Sequence, residues 1–339
     1  MNLFEERLLN EVLIPEKMDH DIPYISGPDE IPNEEYHRSP KYSAFISSSG
    51  LKNFLVSPKH AKYYKEHPRP STPAMAFGSF YHDLLAAIAN TGTTEAVKDI
   101  WRVFEPPINP KTNEPFGKYT KAYAETLADQ GRGVNLIDSE DEILAKAMIN
   151  ELLHGDELIS HEIRWLLDIG QAEQSHFVEY LGHGFKYRTD LKTEGKIIDW
   201  KTTTEEFPKV DKFPQVITKY HYDISAAMYQ FFEHEITGIW KPFYWVVQEK
   251  EPPHSFTILD SKEWTWEIRQ DRGEQIIIPK IGGLLFLKLM DQYIHCIEKD
   301  FWPGYSIFIK PDFRGHRIGV PEVPGWYKGQ MGDLTFYNK

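Results

Sequence analysis

The chain has 339 residues, 41% hydrophobic and 14% aromatic, which is enough to bury a sizeable core and excludes an intrinsically disordered protein. Its formal net charge of −13 excludes a protein that coats nucleic acid indiscriminately through Lys and Arg, although a groove needs only local positive potential. No apolar run approaches the roughly 20 residues that span a bilayer, and the start MNLFEERLLNEVLIPEK lacks the basic flank and apolar core of a secretory signal, so a cytoplasmic protein without a membrane partner is expected.

Residues 1–40 are rich in Pro and acids (IPEKMDHDIPYISGPDEIPNEE) and read as an extended arm, not a packed element. Residues 41–300 read as one α/β domain whose first part, to about residue 170, is mainly helical. Ser47 to Ser49 are N-cap signals for a short helix over Leu51 to Leu55, and Pro58 marks a break. MAFGSFYHDLLAAI then has the spacing of a buried helix; Gly78 in it would let the helix approach a neighbour closely, and His82 by itself reads as a hydrogen-bonded core histidine. The Pro-rich FEPPINPKTNEPFGKYT interrupts the helices and reads as a loop near a substrate.

The expected sheet comprises QSHFVEYL, FKYRTDLK, KIIDWKTT, WKPFYWVVQ and SFTILD, with the helix YHYDISAAMYQFF crossing between the third and fourth strands. A long helix from Pro279 to Lys299 follows, then an irregular tail over residues 301–339. Cys296 is the sole cysteine, which excludes an intramolecular disulfide and fits a reduced compartment.

The stretch GFKYRTDLKTEGKIIDWKTT carries the chemistry. It reads as two strands around a turn near Glu194 and Gly195. Side chains at i and i+2 share a strand face, so Asp199 and Lys201 point together while Trp200 points into the opposite layer, and Asp190 on the preceding strand can lie close to both. Carboxylates brought together repel each other unless a hard divalent cation sits between them, and oxygen ligands of this kind suit magnesium or manganese. A lysine beside that ion can orient or deprotonate an attacking water. The bland alternative is a solvated hairpin face with an ordinary ion pair.

Two basic clusters offer local positive potential: Lys52, Lys59, His60, Lys62 and Lys65 near the N-terminal helices, and Lys310, Arg314, His316 and Arg317 in the tail. Taken singly, each reads first as a solvated face. Phe313, Trp326 and Tyr327 beside the second cluster would stack on frayed bases or anchor the tail.

The acid, then acid-x-Lys, of this hairpin resembles the PD-(D/E)XK nuclease superfamily, and its surroundings resemble phage and bacterial RecE-type exonucleases, also called exonuclease VIII, over roughly residues 44 to 250. The Ser-rich cap, the Pro break, Gly78 and His82 match the upstream pattern, and QAEQSHFVEYL resembles the first sheet strand, where Glu173 matches the family's acid and Glu179 competes for that place. Tyr222, Ala226, Ala227 and Tyr229 match the helix after the hairpin. There Ser225 stands where the family usually has Gln, a place that Gln230 would fill only with the helix rotated or shifted.

The resemblance implies a PD-(D/E)XK restriction-endonuclease-like α/β core, a mixed central sheet flanked by helices with a helical N-terminal wrapper, so that residues 41–300 would be the exonuclease domain. It implies Mg2+, with Mn2+ able to substitute, held by Asp190, Asp199, the Trp200 carbonyl, Glu173 and His82, with Lys201 positioning the water and Tyr222 contacting a phosphate or ordering the lysine. It implies 5′ to 3′ digestion of one strand of linear double-stranded DNA from its ends by a phage or prophage protein in the bacterial cytoplasm, a homo-oligomeric ring, and a single-strand annealing recombinase as partner. Some RecB-like relatives hold an iron–sulfur cluster with several cysteines; one cysteine cannot. A structure-selective or single-strand-specific repair nuclease on the same core, or a non-catalytic DNA-binding relative, are the alternatives.

Overall fold

The structure, a computed structural model, describes residues 24–27, 31, 33–131, 135–204, 206–271 and 274–308. Strand β1 (Tyr24–Gly27) and helix α1 (Asn33–Arg38) precede the helices α2 (Ser48–Lys52), α3 (Pro58–Glu66) and α4 (Pro73–Thr91). Then come β2 (Trp101–Phe104), α5 (Lys121–Gln130), β3 (Asn135–Asp138), α6 (Ser139–His154) and α7 (Glu157–Ile169). The strands β4 (Gln171–Tyr180), β5 (His183–Lys192) and β6 (Ile197–Thr203) lead to α8 (Phe213–Tyr220) and α9 (Tyr222–Thr237). Then come β7 (Phe243–Glu249), β8 (Phe256–Asp260), β9 (Trp266–Asp271), β10 (Glu274–Pro279) and α10 (Ile281–Lys299).

Among the described residues six strands form the central sheet, in the order β1-β4-β5-β6-β7-β8. Strands β6 and β7 run parallel, joined by the crossover through α8 and α9, and the other neighbours are antiparallel, so the sheet is mixed as expected. Alternation along β6 and β7 sorts the core into two layers. Ile198, Trp200 and Val246 pack with α4, α6 and α7, while Ile197, Trp245 and Val247 pack with α8 and α9 on the other face. Further along the sheet, Val178, Phe185 and Tyr187 lie against α2, α9 and α10. Both faces are covered, which is why these strands are rich in large apolar residues at successive positions.

Several features depart from expectation. The helical stretch to residue 170 contains a parallel pair, β2 with β3, and β9 with β10 makes a separate hairpin. The described part of the N-terminal arm is packed: β1 pairs with β4, and Tyr36 is buried against Phe177. Gly78 does not mediate a close approach, because nothing lies within 4 Å of where its Cβ would be. The Pro-rich loop carries a bridge between Ile108 and Pro115, and its Lys118 pairs with Asp138 and Asp141 at the start of α6. Lys310, Phe313, Arg314, His316, Arg317, Trp326 and Tyr327 lie outside the described residues. No helix among the described residues is long and apolar enough to cross a membrane.

One irregularity of the sheet creates a fork. β5 pairs with β6 only at Leu191 and Lys192, and then the two strands part. Nearer its start, the free edge of β5 is taken by Ile46, whose N–H donates to Gly184 O and whose carbonyl accepts from Lys186 N, both at 2.9 Å. This bridge delivers Ser47, the N-cap of α2, and the serines behind it to the mouth of the fork.

Candidate metal centre and its surroundings

The fork exposes backbone that a regular ladder would consume. Along β6, the odd-numbered residues face β7: Ile197 N donates to Pro242 O and Thr203 O accepts from Lys250 N. The N–H and C=O of Trp200 therefore face β5, which has moved away. Asp190 fills that gap with its side chain, Oδ2 accepting from Trp200 N at 2.8 Å. The Trp200 carbonyl is left for side chains, and it accepts from Lys201 Nζ at 3.1 Å and lies 3.0 Å from His82 Nε2.

A second interruption lies on the other side of β5. Ala172 pairs with Leu191 and Gln174 with Thr189, which places Glu173 opposite Asp190, yet Glu173 has φ 51° and leaves the ladder. A non-glycine residue in the left-handed region is uncommon and costs backbone energy. Here it turns the Glu173 carboxylate toward Asp190. His82 comes from α4, where its neighbours are anchored: Tyr81 donates to Gln248 Oε1 at 2.6 Å and Asp83 accepts from Trp101 Nε1 at 2.6 Å. The imidazole Nδ1 is 3.5 Å from Asp190 Oδ2.

Ligand-type atoms of His82, Glu173 and Asp190 lie within 4.8 Å of one another. With the Trp200 carbonyl they form an oxygen-rich donor set with one imidazole, which fits a hard divalent cation such as magnesium or manganese. Asp199 is ion-paired with Lys201 and lies near enough to Asp190 and His82 to feel their charge. Of the five ligands expected, His82, Glu173 and Asp190 come together, the Trp200 carbonyl lies against His82 Nε2, and the Asp199 carboxylate is paired with Lys201. Glu179, the competitor of Glu173, is exposed at the far end of β4.

The electrostatics match a site built to receive positive charge. Burial pushes the Glu173 carboxyl up to about 7, with Asp190 adding to the effect. Burial would raise Asp190 too, but His82, Lys201 and the Trp200 N–H outweigh it and bring the group down to about 2. Burial likewise opposes charge on His82, and Asp190 overcomes it, raising the imidazole to about 9. Both ring nitrogens face acceptors, so His82 is an imidazolium here and gives up a proton when it ligates a cation. Asp199 is raised by burial, partly offset by Lys201. Lys201 is held above the usual lysine value by Asp199 and Asp190 despite its burial. It is thus a fixed hydrogen-bond donor and not a base at neutral pH.

The cleft, about 210 Å³, is bounded by Ser47 to Ser49 of the fork, His82, Glu173 and Asp190, and includes Arg188 and Tyr229. Arg188 Nη1 lies 3.7 Å from Glu173, and its Nε donates to Ser175 Oγ at 2.8 Å. Tyr222 lies beside the lysine, with Lys201 Nζ 5.0 Å from the centre of its ring. Ser225 donates to Ser48 Oγ at 3.1 Å and so ties α9 to the cap of α2, whereas Gln230 is buried on the other side of α9, donating to Lys241 O at 2.9 Å. A larger cleft of about 410 Å³, lined by Gln230, Trp240, Lys241 and Lys280, contains none of the metal-binding groups.

Arg188 escaped the sequence reading, and Tyr229, Ser48 and Lys52 entered it only as a helix match, a cap and a basic cluster, not as residues of the site. Arg188 shares the face of Asp190 by the same i, i+2 rule that joins Asp199 and Lys201, and Tyr229 lies two turns from Tyr222. Those signals were readable. Ser48 and Lys52 reach the site only through the Ile46 bridge, which has no local signature.

A family model described as a PDDEXK-like domain of unknown function (DUF3799) matches residues 47–307. A crystal structure at 2.19 Å resolution of a "putative exonuclease" from Eubacterium rectale is similar at 14% sequence identity and a TM-score of 0.49, covering 90% of this chain and 99% of that one. No curated protein matches the sequence.

Proposed function

This chain belongs to the PDDEXK-like family DUF3799, and from that premise we propose that it is a divalent-metal-dependent DNA exonuclease, a phosphodiester hydrolase that digests one strand of linear duplex DNA from 5′ to 3′. The observation that carries the reading is the grouping of His82, Glu173 and Asp190 around the Trp200 carbonyl, with the Asp199–Lys201 pair alongside. A structural scaffold gains little from crowding carboxylates into a partly buried cleft in this way, whereas a cation site does.

Glu173, Asp190, His82 and the Trp200 carbonyl would hold magnesium, with manganese able to replace it. Bound there, the ion supplies Lewis acidity at the scissile phosphate. Asp190 fixes the β6 backbone through the Trp200 N–H, so the carbonyl keeps its aim. Lys201, charged and held by Asp199 and the Tyr222 ring, donates to the attacking water and orients it toward phosphorus. The water oxygen forms the new P–O bond as the bond to the leaving oxygen breaks, and the proton that the water releases is passed through solvent to that leaving oxygen.

The polarity, a role in making single-stranded tails for a single-strand annealing recombinase, a ring-shaped homo-oligomer and a phage or prophage origin are parts of this proposal supported by the resemblance of roughly residues 44 to 250, strongest over 184 to 230, to RecE-type exonucleases. Linear duplexes labelled at either end, and closed circles, incubated with magnesium, manganese or EDTA, test it. Loss of the 5′ label from linear DNA alone, abolished by EDTA, is expected. Nicking of circles or digestion of single strands only would replace it with a structure-selective or single-strand-specific nuclease.

A further inference from the structure

We propose that Lys52 binds the substrate phosphate next to the scissile one, sharing the Tyr222 ring with Lys201. This rests on the nuclease reading and adds a residue to it. Lys52 ends α2, the helix that the Ile46 bridge carries into the fork, and its Nζ lies 5.7 Å from the centre of the ring against which Lys201 is set.

The partners of the other withdrawn lysines make Lys52 stand apart. Lys192 and Lys241 both pair with Glu233, at 3.1 and 3.2 Å, and Lys186 donates to Tyr36 O at 2.6 Å. Lys52 is partly buried, and among the described residues no carboxylate lies within 4.0 Å of its Nζ and no hydrogen bond to its ammonium is formed. Of the nearest acids, Asp199 pairs with Lys201, and Asp223, buried at the start of α9, makes no ion pair with Lys52. Withdrawing an ammonium from water beside a second ammonium is costly unless an anion arrives. Burial and Lys201 indeed lower Lys52 to about 8. The anion that a nuclease brings to this place is a phosphodiester, and an ammonium beside the ring that holds the water-orienting lysine is placed to meet the neighbouring phosphate.

The test uses the full chain with Lys52→Met and Lys52→Arg. Binding of a short labelled duplex is measured in EDTA across a salt series, and steady-state cleavage is measured in magnesium. Lys52→Met should weaken binding about tenfold and flatten the slope of log K against log salt by about 1, while Lys52→Arg keeps the slope. KM should rise about tenfold with kcat within about threefold, as expected for a contact to a non-reacting phosphate. Lys52→Gln serves if Lys52→Met does not fold. A cleaving parent whose Lys52→Met variant keeps its affinity and salt slope, or loses kcat alone, overturns this proposal and leaves the nuclease reading standing. A parent that binds DNA with the Lys52-dependent slope but never cleaves overturns the nuclease reading alone, and one that does neither overturns both.

Discussion

Glu173 and Asp190 oppose each other across β4 and β5 at the position where that ladder is interrupted, Glu173 having turned into the left-handed region to reach its partner. Two carboxylates held together in a partly buried cleft are a repulsion that a cation relieves. In EDTA, Glu173→Gln should therefore melt at or above the parent temperature. Magnesium should raise the parent melting temperature and leave that of the variant unmoved, since a ligand stabilises only the state that binds it. Thermal melts with and without magnesium decide this, and equal metal-induced shifts would remove Glu173 from the site.

The Asp199–Lys201 pair is largely withdrawn from water, so breaking it from one side is worse than removing it whole. Lys201→Met alone should destabilise the fold by about 3–5 kcal/mol by stranding Asp199, and adding Asp199→Leu should restore much of that. Both variants should lose cleavage by at least about 100-fold. Denaturant melts of the two singles and the double give the coupling; strict additivity would mean that the pair is not formed.

Gly78 lies one turn before His82 on α4, beside open space. Gly78→Ala should stabilise the protein by about 0.5–1 kcal/mol, because the helix interior gains a better former without a clash. Gly78→Leu should fold as well yet cleave DNA at least about tenfold more slowly, if that space is where the strand runs. Melting temperatures and steady-state rates together check it, and a fully active Gly78→Leu would show the space to be idle.

His176 is buried, stacks on Tyr187 at 4.5 Å between ring centres, and has its Nε2 3.2 Å from Lys192 Nζ. Burial and the lysine lower its imidazole from 6.5 to about 3. Between those values the unfolded chain takes up a proton that the folded chain refuses. Stability therefore holds above about pH 6.5 and falls below it, by up to ~1.4 kcal/mol per pH unit from this group. His176→Gln should flatten the fall between pH 6 and 4 on a series of urea melts, and an unchanged slope would assign the acid sensitivity elsewhere.

The legible parts were those encoded by short periods. Alternation in KIIDWKTT set Asp199 and Lys201 on one face and buried Trp200 in the opposite layer with Ile198. The crossover through Tyr222 and the five strands from β4 to β8 followed from the same alternation. What stayed hidden depends on tertiary placement. The backbone turn at Glu173 has no local signature in QAEQSHF, and the parting of β5 from β6 is set by Ile46, more than a hundred residues away. Lys52 looked like one more cation in a solvated helix face, and Gly78 like a packing glycine, because neither residue's neighbours adjoin it in sequence. The strands β2, β3 and β1 are four residues each, too short for alternation to reveal.

The most direct measurement is an anomalous difference map from crystals soaked in manganese. A single strong peak within about 2.0–2.6 Å of Glu173 and Asp190 oxygens, the Trp200 carbonyl and a His82 nitrogen is the predicted result. Manganese bound elsewhere, or none at a concentration that supports cleavage, would contradict the account.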